Sequence, residues 1–135
     1  MSDTTRILSR DSDILAEFDA IDAALALKMD KHVFSPTLAN LTWNGALYSF
    51  FASEISASAT FSISNLVQGV LYRGQVKNAH ASASIVLTHP NTSSWVVSGQ
   101  LTTVGVPAGW TQPYEIIYDG TKYRMWIGSL MKVMA

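Results

Sequence analysis

The sequence predicts a mainly β protein with an N-terminal α-helix that forms a coiled coil, followed by a compact antiparallel β-sandwich or barrel. Two observations lead to this fold class. Apolar residues recur every seven positions in the first part of the chain, and short alternating strands separated by turns fill the rest. The 135 residues suffice for one ordinary domain with a small appendage. We therefore expect a coiled-coil region at 1–35 and a β domain at 36–135.

The predicted helix rests on one apolar seam. Apolar residues fall seven apart or four apart along residues 7–25, which is the spacing of a helix that packs against another helix. A lone helix of this length is marginal, because most helical stability comes from packing of the apolar face. We therefore predict that this segment joins identical chains. The seam consists of Ile7, Ile14, Phe18, Ile21 and Leu25.

The character of the chain changes after Pro36, which cannot continue a helix. Asn44-Gly45 between two apolar runs is the strongest short hairpin signal, and it predicts that 38–43 and 46–51 pair. A second hairpin is predicted around Asp119-Gly120, joining 114–118 to 122–127. Further strands are expected at 60–64, 70–76, 84–88, 95–98 and 101–104. Strands repeating about every 8 to 12 residues indicate a sandwich or barrel.

Composition excludes several classes of function. The net charge is −1 and no dense basic patch occurs, so we expect no nucleic-acid binding. There is no cysteine, and therefore no disulfide framework or cysteine-based site. The N-terminus lacks the apolar core of a signal peptide, and no run approaches the ~18 apolar residues that span a bilayer. The charged fraction is only 14%, which favours an oligomer that hides surface between subunits.

The strand and turn pattern of residues 60–127 resembles a module of bacteriophage tail or head fibres and appendage proteins. An Asn-Leu-x-x-Gly turn leads to a strand with an aromatic, then to a strand ending in Leu-x-x-Pro, a Trp and a closing Tyr-Asp-Gly-x-x-Tyr hairpin. These positions are Asn65, Leu66, Gly69, Tyr72, Leu87, Pro90, Trp95, Tyr118, Asp119, Gly120 and Tyr123. The match is one of strands and turns, not of catalytic residues.

The resemblance implies a homotrimeric virion protein, made in the host cytoplasm, with a trimeric coiled coil. Its N-terminal region would contact other virion proteins, and its β domain would bind a host surface glycan or another structural protein. Two alternatives remain open: a purely structural capsid or tail decoration protein, and a trimeric enzyme that degrades glycans with acids from different subunits. Head and tail locations are equally compatible, as are a short appendage and the tip of a longer fibre.

No catalytic or metal motif is found, so we predict no enzyme, no cofactor and no metal. The acids of the β part are few, and Asp119 reads as a turn residue, so a carboxylate pair is hard to build in one protomer. A trimer could gather three copies of His32, although a solvated histidine is the simpler interpretation. The histidines His32, His80 and His89 lack metal-motif spacing.

The aromatic residues are the remaining functional material. Trp43, Trp95 and Trp126 lie in strand patterns, and we expect them in the core or a subunit interface. Trp110 differs, because it lies in the loop PAGWTQP, and binding residues concentrate on loops held by a rigid scaffold. An indole face can stack on a sugar ring. The predicted ligand-binding residues are Trp110, Gln112, Asn91 and Ser94.

Overall fold

The computed structural model describes residues 33–134, and these form eleven short strands. In chain order they are β1 (Phe34–Leu38), β2 (Thr42–Asn44), β3 (Phe50–Ile55), β4 (Ala59–Thr60), β5 (Ser62–Ser64), β6 (Leu71–Asn78), β7 (Ile85–Thr88), β8 (Trp95–Val97), β9 (Thr103–Val106), β10 (Thr111–Tyr118) and β11 (Tyr123–Ile127). One 3₁₀ turn, Ser98–Gln100, lies between β8 and β9. Strand β1 begins two residues before the predicted start of the β domain at 36.

The strands form one large and two small sheets. The large sheet has the order β1-β3-β6-β10-β11-β8, and the small sheets are β4-β7-β9 and β2-β5. Five of the eight pairings are parallel, namely β1 with β3, β3 with β6, β11 with β8, β2 with β5 and β4 with β7. Among the strands of residues 33–134, only β10 and β11 are both neighbours in the chain and partners in a sheet.

The predicted fold class is therefore wrong in two respects. Within residues 33–134 there is no α-helix and hence no coiled coil, and the described fold is mainly β. The seam from Ile7 to Leu25, on which the trimeric coiled coil was predicted, lies outside the described residues. Two of the sheets are mixed and the β2-β5 sheet is parallel, so none is purely antiparallel, because most strands are joined to a partner by a crossover instead of a tight turn.

The hairpin predicted at Asn44-Gly45 is also wrong. The chain does turn there, since the Asn44 carbonyl accepts from the N–H groups of Leu47 (3.1 Å) and Tyr48 (3.3 Å). The Asn44 side chain accepts from the N–H of Ala46 at 3.0 Å, as in an Asx turn. However, the flanking strands enter different sheets, because Gly45 N–H donates to the carbonyl of Ser64 and draws β2 against β5.

The second predicted hairpin is confirmed. Strands β10 and β11 are antiparallel, with Tyr118 opposite Tyr123. The Asp119 carboxylate closes the turn by accepting from the N–H groups of Thr121 (2.9 Å) and Lys122 (2.7 Å). Its other oxygen accepts from Arg124 Nε at 2.8 Å, and these interactions lower the pKa of Asp119 to about 2.

The core lies on the inner face of the large sheet, and Trp43 of β2 is at its centre. Its indole is fully buried and stacks on Phe51 of β3, with ring centroids 5.0 Å apart and nearly parallel planes. Phe61 and Tyr114 meet the same indole edge-on. The indole N–H donates to Ser53 Oγ at 2.9 Å, so its only polar group is satisfied. The placement of Trp43 in the core agrees with the sequence prediction.

Candidate functional site

A groove of about 340 Å³ lies between the loop after β7 and the segment from β8 to the residues before β9. Its volume falls within the range of ~300–1,000 Å³ usual for small-molecule sites. No ionisable side chain lines it, so it offers indole, amide, hydroxyl and aliphatic groups. The lining residues are Pro90, Asn91, Thr92, Trp95, Val96, Val97, Gln100, Leu101 and Thr102.

A buried histidine fastens the two walls of this groove together. The backbone N–H of His89 donates to the carbonyl of Thr102 at 2.8 Å, and its ring Nδ1 lies 2.9 Å from the carbonyl of Leu101. A carbonyl can only accept, so Nδ1 carries the proton of the neutral ring. Nε2 is then free to accept from the hydroxyl of Tyr114, 2.8 Å away. His89 is 1% exposed and thus belongs to the frame of the groove, not to its surface.

The same burial sets the acid–base behaviour of this pair. Desolvation lowers the pKa of His89, and the hydrogen bond to Leu101 offsets part of that effect. Burial also raises the pKa of the Tyr114 hydroxyl. Both groups are therefore held neutral. The sequence analysis considered His89 only as a possible metal ligand and set it aside for lack of metal-motif spacing. Its position at the end of an apolar strand was the available signal of burial.

The groove is lined by the indole of Trp95, which is held in place by a stack of aromatic rings. Trp95 stacks on Tyr123 with ring centroids 4.8 Å apart, and Tyr123 stacks on Tyr118 at 4.4 Å. The backbone fixes this stack further, because Tyr123 N–H donates to the carbonyl of Ser94 at 2.8 Å. Trp95 is half-buried rather than a core residue, so part of its indole remains available in the groove.

The backbone is strained at Gln100, one of the residues that line the groove. Gln100 has φ 55°, in the left-handed region that residues other than glycine rarely adopt, and the preceding Gly99 has φ 67°. Such conformations cost on the order of 1–3 kcal/mol and cluster at functional sites. Gln100 is exposed and contributes to the groove lining. The strained backbone therefore lies at the lining of the groove.

The structure separates the four predicted ligand-binding residues. Asn91 lines the groove, and Ser94 is exposed in the same loop. Gln112 is 3% exposed, and its amide donates to the carbonyls of Pro113 (3.0 Å) and Gly128 (2.6 Å), so it faces no ligand space.

Trp110 lies outside the groove. It is half-buried against the core, and the ammonium of Lys132 lies 5.8 Å from its ring centroid. Ligand binding by Trp110 stays a prediction.

The sequence analysis missed Gln100 and did not single out Trp95 as a groove residue. Gly99 beside a polar residue was the one signal of an unusual backbone at this position.

Two of the three acidic side chains in residues 33–134 form ion pairs, and these lie in different places. Glu115 forms an ion pair with Arg73 at 3.4 Å on the outer face of the large sheet, whereas Asp119 binds Arg124 and its own turn. Within residues 33–134 no group of three histidine or acidic side chains is arranged to hold a metal ion.

Comparison with protein-family models, curated proteins and solved structures finds no match for this chain. Over the residues that the structure describes, no helix has the length and apolarity to cross a membrane.

Proposed function

We propose that residues 33–134 form a glycan-binding module, and that the groove beside Trp95 takes a neutral sugar. The observation that carries this proposal is the lining itself, which joins a braced indole to amide and hydroxyl side chains without a single charged group. A neutral sugar offers an apolar ring face and a rim of hydroxyls that both donate and accept. The indole of Trp95 suits the first, and the amides of Asn91 and Gln100 suit the second.

The rigidity of the groove supports binding over catalysis. His89, Tyr123 and Ser94 hold the walls and the indole by buried or backbone hydrogen bonds, so little ordering is needed when a ligand enters. Preorganisation of this kind lowers the cost of association. The groove offers no ionisable group to act as a general acid, general base or nucleophile.

The biological context in this proposal is a bacteriophage virion, where the module belongs to a fibre or appendage and faces a host surface glycan. Support comes from the strand and turn pattern of residues 60–127, which was the basis of the resemblance. Several weak sites displayed on one particle gain avidity without new contacts. A shallow neutral groove suits such multivalent attachment.

The test exploits the strained backbone of Gln100. Replacement Gln100→Gly removes the amide but keeps a residue that tolerates φ 55°, so the groove retains its shape. Asn65→Gly is the matched control, because Asn65 also has a positive φ (56°) and is exposed but does not line the groove. The full chain is applied to an array of bacterial surface polysaccharides, and hits are quantified by isothermal titration calorimetry.

We expect Gln100→Gly and Asn91→Ala each to weaken binding by about tenfold, since each removes a hydrogen bond worth ~1 kcal/mol or more. Asn65→Gly should bind as the parent does. Loss of binding with Trp110→Ala but not with Gln100→Gly would move the site to the Trp110 loop. Absence of binding to any polysaccharide would refute the proposal.

A second candidate is a structural decoration module that binds no receptor. It is favoured by the exposed apolar residues of the large sheet, including Phe34 and Trp126, because such patches mark protein contacts. Binding of the purified chain to assembled particles, with no polysaccharide recognised, would support this reading. Turnover of a polysaccharide by the purified chain would instead support the glycan-degrading alternative.

A further inference from the structure

The outer face of the large sheet carries an ordered row of side chains across five strands. In register, Phe34 of β1 lies beside Phe50 of β3, followed by Arg73 of β6, Glu115 of β10 and Trp126 of β11. Alternate residues of these strands are buried, so the row points away from the core. Aromatic rings thus flank a central pair of opposite charges.

The side chains of this row are at least partly exposed to solvent, and four of them line one shared groove. Phe34 is 66% exposed and Trp126 is 47% exposed, and the Arg73 and Glu115 side chains are each about half exposed. Phe50, Arg73, Glu115 and Trp126 line one groove of about 320 Å³ on this face. A contiguous apolar and aromatic face of this kind marks an interaction surface.

The order of the row makes the face complementary to itself. A two-fold axis parallel to the strands, midway between β6 and β10, exchanges these two strands and also exchanges β3 with β11. Arg73 of one copy then faces Glu115 of the other, and Phe50 faces Trp126. A face that is matched in charge and in shape under a two-fold rotation is what an isologous dimer requires.

The rows of outward-facing residues on either side of Arg73 and Glu115 are also compatible with this two-fold axis. Leu71 of β6 is in register with Ile117 of β10, so the axis sets an apolar residue against an apolar residue. On the other side, Gln75 is in register with Pro113, and no charge meets a like charge there. The complementarity therefore extends along the strands and is not a property of one pair.

The size of the face suits this partner. The six strands cover about 550 Å² of flat area at ~3.3 Å per residue and ~4.8 Å between strands. Projecting side chains add to this flat area, which is of the same order as the ~800 Å² per partner of a standard interface. We propose that a second copy of this chain packs against the outer face of the large sheet, as a two-fold dimer centred on Arg73 and Glu115.

Charge reversal tests this arrangement directly. The full chain and its variants are compared by light scattering during size-exclusion chromatography, with thermal melting as a check of folding. Arg73→Glu and Glu115→Arg each set like charges against each other across the axis, so each should raise the dimer dissociation constant by on the order of tenfold or more. The double variant Arg73→Glu with Glu115→Arg restores opposite charges in both places and should restore the dimer.

Two further variants separate interface loss from unfolding. Trp126→Lys adds a charge at an exposed position of the face, and should give monomers that still unfold in one cooperative melting transition. Val86→Glu adds a charge at a similarly exposed position of the small sheet β4-β7-β9, and should leave the dimer intact.

A parent chain that is monomeric, or whose mass is unchanged by Arg73→Glu and Trp126→Lys, would overturn the proposal. The same holds for a trimer that none of these changes affects, or a double reversal that fails to restore association. A glycan or a different virion protein that binds this face while the chain stays monomeric would likewise overturn it. None of these results depends on whether the groove beside Trp95 binds sugar.

Discussion

Gly74 of β6 is where the packing of the core leaves no room for a single methyl group. A Cβ built on Gly74 would overlap the Cη2 atom of Trp43, with Cζ3 2.6 Å and Cζ2 3.1 Å away. The indole cannot move aside, because it is stacked on Phe51, met edge-on by Phe61 and hydrogen-bonded to Ser53. The replacement Gly74→Ala must therefore displace either the strand or the indole.

The expected loss follows from two opposing terms. Overpacking of a rigid core costs ~1–3 kcal/mol and occasionally more, and the clash here involves three ring atoms, so we expect the upper part of this range. Replacing glycine by alanine inside a strand returns ~0.5–1 kcal/mol through the unfolded chain. The net decrease in the free energy of unfolding should be about 2 kcal/mol, or a fall of ~8–16 °C in melting temperature.

Gly105 of β9 supplies the matched control. A Cβ on Gly105 meets nothing within 4 Å and its φ is not positive, so Gly105→Ala should be neutral or slightly stabilising. Urea unfolding of both variants, followed by tryptophan fluorescence, gives the comparison. Adding Trp43→Phe to Gly74→Ala frees space at the clash and should make the two changes cost less together than their sum. Equal stability of Gly74→Ala and Gly105→Ala would refute the packing argument.

Three further outcomes are expected. Because the pKa of His89 is lowered in the fold, the unfolded chain binds more protons below about pH 6.5, so stability should fall on acidification. The urea midpoint should depend less on pH between 7.5 and 5 in His89→Gln, and an unchanged dependence would contradict this. Asn78 is fully buried and its amide donates to the carbonyls of Ala83 and Val106, both at 2.8 Å. Asn78→Leu should therefore lower the free energy of unfolding by about 2–4 kcal/mol in the same assay, and a loss below 1 kcal/mol would argue against these bonds. The pKa of Asp119 is lowered to about 2, so its stabilising effect is present above the usual pKa near 4 and is lost as pH falls towards 2. Asp119→Asn should remove that acid-dependent loss, and calorimetric melting at pH 5 and pH 2.5 would show whether it does.

The local signals of the sequence predicted the β domain well where the partner of a strand lies next to it in the chain. The Tyr118-Asp119-Gly120 turn specifies β10 and β11 through its own hydrogen bonds, so the hairpin could be predicted. Asn44-Gly45 carries an equally strong turn signal, but its strands pair with β5 and with β1 and β6. Those partners are set by burial of Trp43 in the core, which a turn motif does not encode.

The candidate site could be predicted only in part, for the same reason. Asn91 was predicted as a neighbour of Trp110, and it lines a groove to which Trp110 does not contribute. Gln112 was predicted from proximity to Trp110, but it occupies a strand position whose side chain points inward, where its amide binds two carbonyls. In a strand, side chains point alternately inward and outward, and the position of Gln112 in β10 points inward. The prediction had placed Gln112 in a loop, where this rule does not apply. Gln100 is distinguished by its backbone conformation and His89 by its burial. Residue identity alone predicts neither property.

The two proposed surfaces can be tested independently because they share almost no residue. The groove lies between loops at the β8 edge, whereas the dimer axis passes between β6 and β10, near the middle of the sheet. If both proposals hold, Arg73→Glu should weaken the dimer while the affinity of one site for sugar stays the same. Gln100→Gly should weaken the affinity for sugar and leave the dimer unchanged. On an immobilised glycan surface, however, Arg73→Glu should also bind more weakly, because a monomer loses the avidity that two sites provide. Reduced surface binding with unchanged affinity in solution would therefore connect the sheet face to attachment without assigning it any contact with the sugar.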